Sequence, residues 1–158
     1  MEEISSENLA ELNKRYRSTV FIVLAQIAVT IALIAAVWFV PARTQSSISQ
    51  QTSTTLWMAI IFVALGTFLL RRMFFRWDRL KDIVLLKGVP GLLATLQTNA
   101  IILAAMAEIV SVTGFMIAVL SGEKFEMLRA GLVALIVFLI NFPRKAVWGK
   151  VAAKLQEV

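Results

Sequence analysis

Four apolar runs, at about 19–40, 55–74, 97–120 and 125–142, alternate with short polar or basic connections along the whole chain. A helix rises 1.5 Å per residue, so about 20 apolar residues cross the roughly 30 Å hydrocarbon core of a bilayer. The pattern predicts an all-α fold: an integral membrane four-helix bundle, one transmembrane domain over residues 1–158, with short amphipathic helical extensions.

Residues 1–18 are polar, with Glu2, Glu3, Glu7 and Glu11 preceding Lys14, Arg15 and Arg17. That order suits a helix dipole, with Ser5 or Ser6 as the cap. This helix is expected to run into the first span, where only Thr19, Gln26 and Thr30 are polar and which Pro41 ends. A cleaved signal peptide competes for this start, because Val40 and Ala42 are small enough to resemble a cleavage site. An apolar core of about 22 residues exceeds the usual 7–15, so the span is expected to be retained.

Residues 42–55, rich in Ser, Thr and Gln with Arg43 as the lone charge, read as a solvated loop. The apolar heart of the second run, 56–70, is short for a span and lengthens to 55–74 if Arg71 and Arg72 snorkel. From 71 to 87, Met73, Phe74, Trp77, Leu80 and Val84 recur at helical spacing opposite Arg72, Arg76, Arg79 and Lys87. With Arg71, these cations make a basic helix for a lipid surface, or an extension of the second span packed on its neighbours. Gly88, Pro90 and Gly91 then break the helix. Residues 121–126 form a tight turn, Asn141 and Pro143 mark the end of the fourth span, and 144–158 read as a basic surface helix.

Composition agrees with the pattern: 59% hydrophobic and 16% charged residues exclude a soluble domain, in which about a quarter are charged. The net charge of +6 would suggest a nucleic-acid partner on a soluble fold, but here the cations cluster at the ends of apolar runs. Thirteen of the sixteen lysines and arginines fall on one side, leaving Arg43, Lys124 and Arg129 on the other. The positive-inside rule then places both termini and the middle connection in the cytoplasm of a multi-pass protein of a bacterial inner or plasma membrane. Trp38, Trp57, Trp77 and Trp148 all fall near span ends, as an aromatic belt requires. No nucleic-acid partner is expected.

The chain has no Cys and no His, and its acids are scattered, so no metal-ligand cluster is expected. It has no phosphate-cradling glycine loop and no nucleophile with a base, so neither catalysis nor a cofactor is expected. Chemistry therefore concentrates on Glu108, the one carboxylate in the third span. A mid-membrane acid is costly and marks a functional site by default. Desolvation favours the neutral form of a carboxyl, which would make Glu108 a reversible carrier of H+ or Na+. Counting helical rise puts Gln26, Thr30 and Glu108 at similar depths of roughly 10–16 Å, with Ser111 one turn from the acid. Arg129 lies nearer the other surface by about 12 Å and is not expected to pair with Glu108. A carboxyl that merely cross-links two helices is the structural alternative.

Ala100, Ala104, Ala107, Ser111, Gly114 and Ala118 form a small-residue seam along the third span, which lets another helix approach closely. The contact is expected within the bundle or between copies.

The stretch 107–120, AEIVSVTGFMIAVL, resembles the carboxylate-bearing helix of the ring-forming c subunit (proteolipid) of rotary ATP synthases. In that family Ala-Glu is followed by a glycine six residues after the acid and an alanine ten after it, positions held here by Gly114 and Ala118. The resemblance implies that Glu108 binds H+ or Na+ within a homo-oligomer. The competing expectation is a non-catalytic accessory subunit that joins a larger membrane complex through the small-residue face.

Overall fold

The computed structural model describes residues 6–39 and 48–156. Among them the regular elements are five helices: α1 (Ser6–Ala36), α2 (Gln50–Phe74), α3 (Trp77–Ser121), α4 (Lys124–Asn141) and α5 (Lys145–Gln156). Four stretches are long and apolar enough to cross a membrane, the mark of a multi-pass membrane protein. Helices suit such sequences because lipid offers backbone groups no hydrogen-bond partner, and a helix satisfies them internally.

The polar start and the first span are one continuous helix, ending at Ala36 rather than at Val40. Pro41, Arg43, Ser5 and the first two glutamates lie outside the described residues. The second helix starts within the expected loop, at Gln50, where Ser49 Oγ accepts from the backbone N–H of Thr52 at 3.2 Å.

The stretch 71–87 is not one amphipathic helix. The second helix stops at Phe74, Phe75 caps it by donating to Arg71 O at 3.1 Å, and an extended Arg76 begins the third. Of the three expected breakers only Gly88 leaves helical geometry, with φ 66° and ψ −175°. Pro90 then falls in the first turn of the segment that follows, where a missing N–H costs nothing. The segment 77–87 packs inward through Leu80 at the basic end of the bundle. It begins α3 rather than extending α2.

The third helix is the axis of the fold and touches each of the other four. Among the described residues four core clusters surround it, one of which joins Ile60 of α2 to Val110 and Ile117 and to Ala130 and Ala134 of α4. At the basic end Leu12, Leu80, Leu92, Leu93 and Leu96 meet Trp148, Ala152 and Leu155. At mid-height Val23, Ala104 and Ala107 meet Val137 and Phe138, and at the far end Val37, Ala118 and Met127 close the bundle. Gly122, left-handed at φ 74°, donates to Ala118 O at 3.0 Å and turns the chain into α4.

Two expectations about the basic end need correction. The C-terminal helix is docked rather than lying free on a surface. Trp148, only 2% exposed, packs edge-on against Tyr16 and is not part of an interfacial belt. Its indole fills the gap between α1 and α3, and burial of so large a ring outweighs exposure of the helix to water.

Candidate functional site

The only charged residue within the apolar part of α3, Glu108, sits where that helix packs on α1. Thr30, wholly buried on α1, donates its hydroxyl to Glu108 Oε2 at 3.2 Å. The two helices run in the same direction, and a second polar contact lies lower on the same interface: Arg15 Nη1 donates to Gln97 Oε1 at 3.1 Å while its Nε is ion-paired to Glu11 at 2.6 Å. Glu108 is half-buried, and among the described residues no lysine or arginine pairs with it. Arg129 instead joins Glu126 at 3.1 Å near the other end.

Of the residues expected beside the acid, Thr30 alone reaches it. Gln26 and Ser111 share its depth but not its hydrogen bond: Gln26 Oε1 and Ser111 Oγ are buried with no hydrogen-bond partner. Such groups are costly to bury, which makes them the natural landing points for a water or an ion. Among the described residues no group of three or more Asp, Glu, His or Cys gathers.

The small-residue seam is filled within the chain. Ala100, Ala104, Ala107, Ser111, Gly114 and Ala118 are all buried. A Cβ placed on Gly114 would overlap the Cβ of Ala130 on α4, and one on Gly131 would come 2.6 Å from Ile34 Cδ1 on α1. Use of the seam by a second molecule would first require α4 to leave it.

The basic residues divide by role. Arg71 Nη1 donates to the Ile140 carbonyl at the end of α4, so it ties two helices together. Arg76 approaches Asp78 at 3.8 Å, and Arg79 lies 5.1 Å over the Phe74 ring. Arg79 and Lys87 line one cleft, in which Arg72 and Arg76 take no part.

Some polar contacts that matter at these interfaces are not given by pattern. Trp57 Nε1 donates to Glu126 Oε2 at 2.5 Å, which ties α2 to α4. Asn99, 3% exposed, holds a side-chain nitrogen with no acceptor, and its position inside an otherwise apolar run is the signal that could have marked it. Comparison of the chain with protein-family models, with curated proteins and with solved structures finds no match.

Proposed function

We propose that this protein binds and releases a proton at Glu108, inside the membrane, as the working step of a small ion-coupled unit. The single observation that carries the reading is the Thr30 hydroxyl 3.2 Å from Glu108 Oε2 across the α1–α3 interface. A threonine hydroxyl can donate to a carboxylate and accept from a carboxylic acid, so the contact serves both protonation states. One carboxyl and one hydroxyl suffice for a proton, whereas a hard cation draws about six or more oxygens. Gln26 and Ser111, with buried oxygens still unmatched, offer the nearest candidate steps for a proton entering or leaving.

The cation distribution supports an orientation with both termini cytoplasmic. Thirteen of sixteen lysines and arginines belong to the start of α1, the α2–α3 junction or the chain after α4, whereas Lys124 and Arg129 lie at the opposite end. The c-subunit resemblance of 107–120 agrees with a proton-carrying acid. A ring built through the seam is a poorer fit, because α4 occupies that face.

Dicyclohexylcarbodiimide, which attacks protonated carboxyls in apolar surroundings, tests the reading. Peptide mass analysis after labelling in membranes is expected to find the adduct on Glu108 and none in Glu108→Gln. Labelling confined to other carboxyls would overturn it.

A second reading, an accessory subunit of a larger membrane complex, draws on α2. That helix buries only Ile60 and Thr67 and exposes Met58, Phe62, Leu65 and Phe68. Under this reading the partner seats on α2, and Glu108→Gln leaves assembly intact.

A further inference from the structure

We infer that the cleft between the end of α2 and the start of the third span is a binding site for the phosphate of an anionic phospholipid. The cleft encloses about 310 Å³, and its polar wall is formed by Arg79, Lys87 and Asn99. It stands apart from Glu108 and does not depend on the proton reading.

Local backbone geometry builds the site. Gly88, at φ 66°, ends the segment that carries Arg79 and Lys87 and sets the angle at which the chain re-enters the bundle. Gly91 lies directly against the Lys87 stem, and a Cβ there would overlap the Cβ of Lys87. These glycines let the lysine fold over the cleft wall, a position that any larger residue at 91 would deny it. Arg79 is fixed from the other side by stacking on Phe74, which also lines the cleft. Neither cation is paired with a carboxylate among the described residues.

Asn99 supplies the independent observation. Its side chain lines the cleft, is 97% buried by its 3% exposure, and holds an Nδ2 with no acceptor. A buried donor left unmade is costly unless a ligand completes it. The hydroxyls of Thr95 and Thr98 donate to Gly91 O and Ala94 O at 2.9 and 3.0 Å, so the donors left for a ligand are the two cations and the amide. Two positive charges and a neutral donor lining one cleft suit a group with several anionic oxygens, which is the chemistry of phosphate.

Inorganic phosphate would satisfy those donors, but the rest of the cleft argues for a phosphate with a hydrocarbon attached. Ala94 and the half-exposed Ile102 continue it toward the apolar part of α3. The two cations therefore sit at the depth of a headgroup and Ile102 at the depth of its chains. The adjacent cations also disfavour a choline or ethanolamine ammonium, so an anionic headgroup is selected.

The test is native mass spectrometry of the detergent-purified protein titrated with phosphatidylglycerol, phosphatidylcholine or inorganic phosphate. One phosphatidylglycerol is expected to bind about tenfold more tightly than phosphatidylcholine, the difference one charge-assisted hydrogen bond can supply. Arg79→Gln with Lys87→Gln is expected to remove the preference, Asn99→Ala to weaken both phospholipids alike because each carries the phosphate, and Arg72→Gln with Arg76→Gln to leave the preference intact. Equal binding of the two lipids, or the same loss in the Arg72/Arg76 variant, would overturn the site. Displacement of phosphatidylglycerol by equimolar inorganic phosphate would overturn the lipid as its occupant. Should the double variant fail to fold, the single Arg79→Gln and Lys87→Gln variants carry the test, each with a partial loss expected and no loss contradicting it.

Discussion

Thr30 on α1 and Glu108 on α3 are 78 residues apart in sequence and joined by one hydrogen bond of 3.2 Å. Thr30 is wholly buried, so its hydroxyl has no water to fall back on, and the bond gives polar specificity to a stretch of the interface lined by Val23, Ile27 and Ala104. Thr30→Val keeps the shape and removes the donor. It is expected to lower stability in detergent by about 1 kcal/mol, within the range seen for polar contacts between membrane helices. Denaturant titration measures this, and an unchanged midpoint would mean that the hydrogen bond contributes nothing.

Gly114 sets how closely α3 and α4 approach, because its missing side chain is replaced by Ala130 of the facing helix. Gly114→Leu is expected to cost about 1–3 kcal/mol through forced separation of the helices. Combining the milder Gly114→Ala with Ala130→Gly should recover most of its loss, since the same volume then comes from the other side. Thermal unfolding of the two single variants and the double variant measures the coupling.

The docking of α5 depends on Trp148, whose ring lies 5.9 Å from that of Tyr16. Trp148→Ala is expected to cost about 3–5 kcal/mol locally, as for a large aromatic removed from a core. Released from its seat, α5 should become sensitive to trypsin at Lys150 and Lys154. Limited proteolysis reads this directly, and equal protection in both proteins would show that α5 is held by other contacts.

The absence of cysteine makes topology straightforward to probe. Asp82 and Glu123 are both exposed and lie at opposite ends of the bundle. In sealed cells an impermeant thiol reagent is expected to label Glu123→Cys, or Ser47→Cys in the first connection, and to leave Asp82→Cys untouched. The reverse pattern would invert the molecule.

Hydropathy alone sufficed to find the four helices long and apolar enough to cross a membrane, because in lipid the length of an apolar run and the length of its helix are nearly the same quantity. Helical rise also put Thr30 and Glu108 at one depth. Depth does not give the direction in which a side chain leaves its helix, which is why Gln26 and Ser111 shared the level of the acid without reaching it. The break at Phe75 and Arg76 was hidden because RRMFFRW contains no glycine or proline and has sound helical periodicity. Its cause is tertiary: Leu80 must enter the core beside Leu12 and Trp148, and a straight continuation of α2 would carry it away. The docked α5 was hidden likewise, since a lone tryptophan among lysines reads as an interfacial anchor until its neighbours are known.

Infrared difference spectroscopy on the protein in bilayers, recorded across a pH step with Glu108→Gln as the blank, addresses the mid-membrane acid without requiring knowledge of any partner. A carboxylic-acid carbonyl band that rises on acidification, reverses on return and disappears in Glu108→Gln is expected. Identical difference spectra from the two proteins would mean that Glu108 exchanges no proton.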